Sequence, residues 1–227
     1  MSHSLDRPAW NALHSRQAYL ATGGGRAVGY QRPYAMFIAG ADQSDASLAA
    51  MAELVPADGQ AALVERDRWP LPPGTRVVAD AVIVQLVAEN GIYGSDAGVE
   101  FLEMGEADEP DALALATLCR PGPFFARTSA MGGFIGVRDE AGRLVAMAGE
   151  RMKVGEFTEV SAVCTHPDHR GRGLAKRLIG IVAGRIVERG EIPWLHSYPD
   201  NAAALALYES LGFRRRAEVH YTIIERG

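Results

Sequence analysis

Cysteine is scarce in this 227-residue chain, where Cys119 and Cys164 are the only two. They stand far apart, outside any C-x-x-C pair or Cys/His cluster, so neither a disulfide framework nor a bound metal is expected. Positive charge is also in short supply. Twenty-three Lys and Arg against 28 Asp and Glu give a net charge of -5, which excludes a surface built for a phosphate backbone and, with it, a nucleic-acid partner. No run approaches the roughly 18 to 20 apolar residues of a membrane span, and the first residues carry Asp6, Arg7, His14 and Arg16 in place of an apolar signal core. The expectation is a soluble, cytoplasmic protein without a membrane partner. Hydrophobic residues make up 48% of the chain, enough for one large core or two small ones.

The order of elements reads as α/β with a mixed, twisted sheet. In the first part, residues 8–20 read as a short helix ended by Gly23, Gly24 and Gly25, which form a flexible loop rather than a phosphate cradle. Residues 34–38 read as a strand, 44–55 as a helix, 61–65 and 77–87 as strands, with a proline turn at 70–74. Turn residues at 90–98 suggest a boundary, giving units at 1–98 and 99–227. Beyond it come a strand at 100–104, a helix at 108–119, a loop at 121–125, a hairpin at 133–138 and 144–153, and a strand at 158–165. Leu174, Leu178, Ile181, Val182, Ile186 and Val187 then recur at helical spacing, giving one apolar face. A strand at 194–198, a helix at 201–211 and a closing β segment or hairpin at 213–225 complete the chain.

The most informative stretch is Arg170-Gly171-Arg172-Gly173-Leu174-Ala175, between that strand and that helix. Glycines let a backbone approach a ligand closely, and a helix N-terminus offers unpaired N–H donors with about half a positive charge, so the turn suits a pyrophosphate. Such turns also recur as plain loops. A second pattern narrows the reading: Asn201, Ala204, Leu207, Tyr208, Gly212 and Phe213 follow as Asn-x-x-Ala-x-x-Leu-Tyr-x-x-x-Gly-Phe.

Arg-x-x-Gly-x-Ala followed by that helix resembles the GNAT superfamily of acyl-CoA-dependent N-acyltransferases, over residues 99–226. The resemblance is closest to the glycine N-acyltransferase-like branch and to the enzymes that acetylate ribosomal-protein N-termini. It implies a sheet of the GNAT type. The glycine N-acyltransferase branch further implies that residues 1–98 are a degenerate copy of the same fold that shapes the acceptor pocket.

The resemblance also implies roles. Acetyl-CoA, or another acyl-CoA, would be the acyl donor, and a small amine or amino acid would be the acceptor ahead of a protein N-terminus. Backbone groups of Val163, Cys164 and Thr165 would hold the pantetheine arm and the acyl carbonyl. Gly171, Arg172, Gly173, Leu174, Ala175 and Lys176, with Arg170, would cradle the pyrophosphate, and Asn201 would contact the pantetheine unless it serves only as a helix cap. Tyr208 would protonate the departing sulfur. The general base is left between His196, whose ordinary pKa near 6.5 suits the task, Glu159 on the preceding strand, and a water chain.

Three other readings remain beside this one. Cys164 as a covalent nucleophile lacks an adjacent base in sequence. A CoA-binding sensor without turnover would not need Tyr208. A dinucleotide binder would need G-x-G-x-x-G after the first strand, whereas this loop is late, arginine-rich and short of the third glycine.

Overall fold

The computed structural model describes residues 3–90 and 100–227. In chain order, α1 (Pro8–Leu13) is followed by β1 (Ala21–Gly24), β2 (Ala27–Tyr30), β3 (Ile38–Gly40), α2 (Asp45–Leu54), β4 (Gln60–Glu65) and β5 (Thr75–Val87). Then come β6 (Leu102–Glu103), α3 (Glu109–Cys119), β7 (Ile135–Arg138), β8 (Leu144–Val154), β9 (Phe157–Thr165), α4 (Leu174–Glu188), β10 (Ile192–Ser197), α5 (Ala202–Ser210) and β11 (Arg214–Arg226). Eight strands form one mixed sheet in the order β4-β11-β5-β10-β9-β8-β7-β6, and β1-β2-β3 form a small second sheet. Most of the turn-rich segment at 90–98 lies outside the described residues.

The main sheet runs across the expected boundary after residue 98. β5 pairs antiparallel with β11 along nearly its whole length and with β10 on its other edge. The reason is visible in its burial: residues 75–82 are mostly exposed, whereas Ile83 to Val87 are buried on both faces. An apolar run buried in that way belongs inside a sheet. The first part of the chain therefore supplies β4 and β5 to the shared sheet.

Two layers cover the sheet. On one face, α4 and α5 pack against Val84, Leu86, Val160 and Leu195. The α4 face buries Leu178, Ile179, Val182, Ala183 and Ile186, while Val187 at its end is 40% exposed. On the other face, α1, β2 and β3 pack over Val64, Ile83, Val87, Trp194, Val219 and Tyr221. Beside them α3 packs over Met147, Ala162 and Cys164. The segment after α3 is tied to the N-terminal layer: Arg127 N–H donates to the Pro33 carbonyl, and Thr128 Oγ1 to that of Tyr34.

Two local expectations change. Gly23 and Gly24 lie in β1 and pair with Val28 and Ala27, so the glycine run builds a hairpin, not a loop. At Gly23 φ is +94°, and a Cβ there would lie 2.5 Å from the Ala27 carbonyl oxygen, which requires glycine. The strand expected at 34–38 begins only at Ile38, with Phe37 bridging singly to Ala62. Residues 31–34 instead turn, Tyr34 N–H donating to the Gln31 carbonyl. The closing segment is the one long strand β11.

Candidate active site

β9 and β10 run parallel and pair through Phe157–Ile192, Thr158–Pro193 and Glu159–Trp194. Past Glu159 they separate. β9 continues to Thr165 and β10 to Ser197 without a shared ladder, so the backbone groups of β9 that face β10 lose their strand partner there. A cleft of about 270 Å³ opens at this fork.

The other edge of β9 is distorted at the same place. Met147 pairs with Cys164 and Gly149 with Ser161, so Ala148 stands opposite both Ala162 and Val163. This is a β-bulge, which bends the strand and re-aims its backbone groups. Ala162 within it has φ +53°, a left-handed conformation costing on the order of 1–2 kcal/mol outside glycine. Arg120, with φ +52°, is the other non-glycine residue of this kind among the described residues. Both line the cleft, and such strain is characteristic of functional sites.

At the fork, register brings three charged or titratable side chains together. Arg151 Nε and Nη2 donate to Glu159 Oε2 and Oε1 at 2.9 and 2.8 Å. Met152 N–H donates to Oε2 at 3.3 Å, and His196 Nδ1 lies 2.9 Å from Oε1. Both carboxylate oxygens accept two hydrogen bonds, leaving no lone pair for a substrate proton. Burial by itself would raise the Glu159 carboxyl, but the charge and hydrogen bonds of Arg151 and the bond from His196 hold it down at about 2. Glu159 is therefore a poor base; its carboxylate orients the imidazole instead.

His196 is braced from the other side by Gln85. The Gln85 amide nitrogen donates to the Leu5 carbonyl at 2.9 Å and lies 3.3 Å from His196 Nε2. Reversing the amide would set its oxygen against the Leu5 carbonyl, so the nitrogen faces the ring, and Nε2 accepts while Nδ1 carries the proton to Glu159. Arg151 is itself backed by the N-terminal layer. Its guanidinium lies 5.0 Å over the Phe37 ring, and Gln17, held by the Tyr30 hydroxyl at 2.7 Å, donates to the Arg151 carbonyl.

Tyr208 and Asn201 stand on the opposite wall, on and just before α5. Asn201 Oδ1 accepts from Ala204 N–H at 3.2 Å, so it is the N-cap, with its amide nitrogen left for the cleft. The Tyr208 ring packs edge-on to Phe213 at 6.2 Å. Burial raises its pKa, so the hydroxyl keeps its proton at neutral pH, and the residue lines the cleft.

Beyond the end of β9, Gly171 and Gly173 have φ +76° and +74°, and a Cβ on either would meet open space. Gly173 caps α4 without a side-chain hydrogen bond, so the first N–H groups of that helix, at Leu174, Ala175 and Lys176, are offered outward. Arg170 turns back, its Nε 3.4 Å from the Thr165 carbonyl, while Arg172 and Lys176 are exposed.

The fold thus brings Glu159, Val163, His196, Asn201 and Tyr208 around one cleft. The loop from Arg170 to Lys176 lies past the end of β9, outside the walls of that cleft. Cys164 faces the α3 cluster. Burial, with the Cys119 thiol beside it, pushes its pKa far up, which suits a packed thiol rather than a nucleophile. Phe124 and Phe125, each partly buried, pack against the edges of two cores. Sequence reasoning missed Arg151, Gln85 and Arg120. An arginine inside the otherwise buried strand β8 was the available signal for Arg151. No helix is long and apolar enough to cross a membrane, and no metal-binding cluster occurs, among the described residues.

Residues 134–222 match the family described as FR47-like protein. The whole chain superposes on a crystal structure described as an acetyltransferase of the GNAT family from Novosphingobium aromaticivorans, at 42% identity, full coverage of both chains and a TM-score of 0.92. A GCN5-related N-acetyltransferase from Kribbella flavida shares the fold at 21% identity and TM-score 0.60, over 95% of each chain. Among curated proteins, the [ribosomal protein bS18]-alanine N-acetyltransferase of Salmonella typhimurium is 38% identical over 72 residues. That match covers 31% of this chain and 48% of the relative, so the chain spans about half the length of the curated relatives it matches.

Proposed function

The chain belongs to the GNAT family, and from that premise we propose that it transfers an acetyl group from acetyl-CoA to a primary amine, a small amine or amino acid. The observation that carries this reading is the fork of β9 and β10, which joins exposed strand backbone, a buried carboxylate–imidazole pair and a protonated tyrosine in one cleft. An uncapped helix N-terminus lies at the end of the same strand.

On this reading, Gly171 to Lys176 hold the pyrophosphate through backbone N–H donors, with Arg170 and Arg172 adding charge. Backbone groups of Val163, Cys164 and Thr165 and the free amide nitrogen of Asn201 line the pantetheine path and the acyl carbonyl. A donor aimed at that carbonyl is worth about 2.7–4 kcal/mol of barrier. The amine attacks the carbonyl as a neutral nucleophile, and a C–N bond replaces the C–S bond. His196, oriented by Glu159, takes the amine proton on Nε2 directly or through water, that atom giving up its 3.3 Å hydrogen bond from Gln85, and Tyr208 gives its own proton to the sulfur.

Phe37, Val64 and Ile83, from the first part of the chain, contribute the far wall of the acceptor site. The match to the ribosomal relatives supports a second reading, in which the acceptor is a peptide N-terminus. The branch likened to glycine N-acyltransferases has no specific support among these similarities.

The test is a thermal-melt series with acetyl-CoA, free CoA, benzoyl-CoA and NAD. A ligand at 100 times its Kd stabilises the fold by about 2.7 kcal/mol. A saturable shift with the CoA compounds and none with NAD is expected; no shift with any CoA compound rejects the assignment.

A further inference from the structure

The charges lining the cleft are unevenly matched. Arg120, Arg151 and Glu159 are its charged residues. Arg151 and Glu159 neutralise one another, and both oxygens of Glu159 are fully engaged. Arg120 has no carboxylate partner among the described residues; by contrast Arg127, seven residues on, lies 3.6 Å from Glu109. Among the described residues the cleft therefore presents one uncompensated positive charge and no free negative one.

The backbone beneath Arg120 makes this charge more telling. α3 ends when Arg120 N–H donates to the Ala116 carbonyl at 2.7 Å, with Arg120 at φ +52°, ψ +56°. This is the left-handed position that closes many helices, and glycine is its ordinary occupant. Pro121 adds to the strain, because proline steers the preceding residue toward extended backbone. Glycine would relieve the conformation, yet the chain keeps a long cationic side chain there, at the mouth of the cleft beside Pro121, Gly122 and Pro123.

α3 and the N-terminal layer share the sheet face opposite α4. Arg120 thus stands with Phe37, Ile83 and Tyr221, across the sheet from the helix that follows the glycine loop. We propose that Arg120 reads a carboxylate on the acceptor, so that the substrates are amino acids or other amines bearing a carboxylate near the nitrogen. This rests on the N-acyltransferase reading and narrows its acceptor class. A planar guanidinium suits a carboxylate, which it can grip through two parallel hydrogen bonds. A polyamine or aminoglycoside, with further ammonium groups, finds no free carboxylate among the described residues of this cleft. A peptide N-terminus lacks the adjacent carboxylate.

The experiment measures CoA release with a panel of amino acids, each beside its primary amide, and with spermidine, for wild type, Arg120→Gly and Arg120→Lys. Acetyl-CoA affinity and Tm are read for each protein. An amide leaves its α-amine less basic than the free acid does, so intrinsic reactivity near neutral pH favours the amides. The wild type is nonetheless expected to favour the free acids at least tenfold in kcat/KM. Arg120→Gly should erase that preference mainly through KM of the acids, with acetyl-CoA affinity unchanged and Tm equal or higher; Arg120→Lys should restore part of it. Preference for amides or spermidine, a free-acid preference that survives in Arg120→Gly, or a loss of acetyl-CoA affinity in that variant overturns the proposal. Acetyl-CoA binding without turnover of any free acid also overturns it and leaves the parent reading standing. Absence of acetyl-CoA binding in the wild type rejects both.

Discussion

At the glycine loop the groups offered to a ligand are backbone N–H donors on an exposed turn, whereas at the fork of β9 and β10 they are side chains locked in a buried network. Gly171 and Gly173 adopt positive φ over open space. Arg151, Glu159 and His196 each reach their partner within 3 Å and are nearly removed from water. The loop depends on conformation and tolerates changes of neighbouring side chains. The fork depends on every member of its network, because a charge left without its partner in the interior is costly.

Glu159→Gln is the sharpest way to break this contrast and has the largest expected effect. It leaves the Arg151 charge buried without its counter-ion, a loss of about 3–5 kcal/mol of stability by chemical denaturation. The pH dependence carries the same signature. The folded Glu159 carboxyl titrates at about 2, below its ordinary 4.5. Its stabilisation is therefore complete above about 4.5 and is lost as pH falls toward about 2. The acid limb of the stability curve should flatten in Glu159→Gln, and an unchanged limb would show that the carboxylate is not held as described.

Tyr208→Phe tests the cleft wall that faces this network. It removes one hydroxyl from a packed ring, so stability should change little while kcat falls by about 10²- to 10⁴-fold. Steady-state rates at saturating acetyl-CoA measure this, and undiminished turnover removes Tyr208 from the mechanism. The smallest effects belong to the loop, where two substitutions separate backbone from charge. Gly173→Ala forces a Cβ onto φ +74° and should cost on the order of 1–2 kcal/mol, with weaker acetyl-CoA binding. Arg172→Ala should weaken acetyl-CoA binding by less, and the deficit should shrink with added salt. Equal losses from the two variants would erase the distinction.

The same contrast governs what could be read before the fold was known. The loop and the α5 helix lie in continuous stretches, so Gly171, Gly173, Asn201 and Tyr208 announce themselves through spacing and local conformational need. The Asn201 cap needed the structure only to show which of its two side-chain atoms is engaged. The network at the fork comes from three strands. Arg151 on β8, Glu159 on β9 and His196 on β10 meet because the β8–β9 ladder shifts register at that point and β9 pairs in parallel with β10. Sequence alone left Glu159 and His196 as rival bases, and their hydrogen bond makes them one unit.

By itself the sequence determined the α/β class, most element positions, the glycine turn before α4 and the helix that carries Tyr208. Each of these is set by periodicity, glycine conformation or capping within a few neighbouring residues. Only the tertiary structure decided that β5 lies between β10 and β11, that Phe37, Val64 and Ile83 are the residues of the first part that line the cleft, that Glu159 is saturated, and that Arg120, exposed at the cleft's mouth, has no carboxylate partner among the described residues. Strand order and side-chain pairing across a sheet are fixed by burial and register between distant segments, and no local pattern records which segments those are.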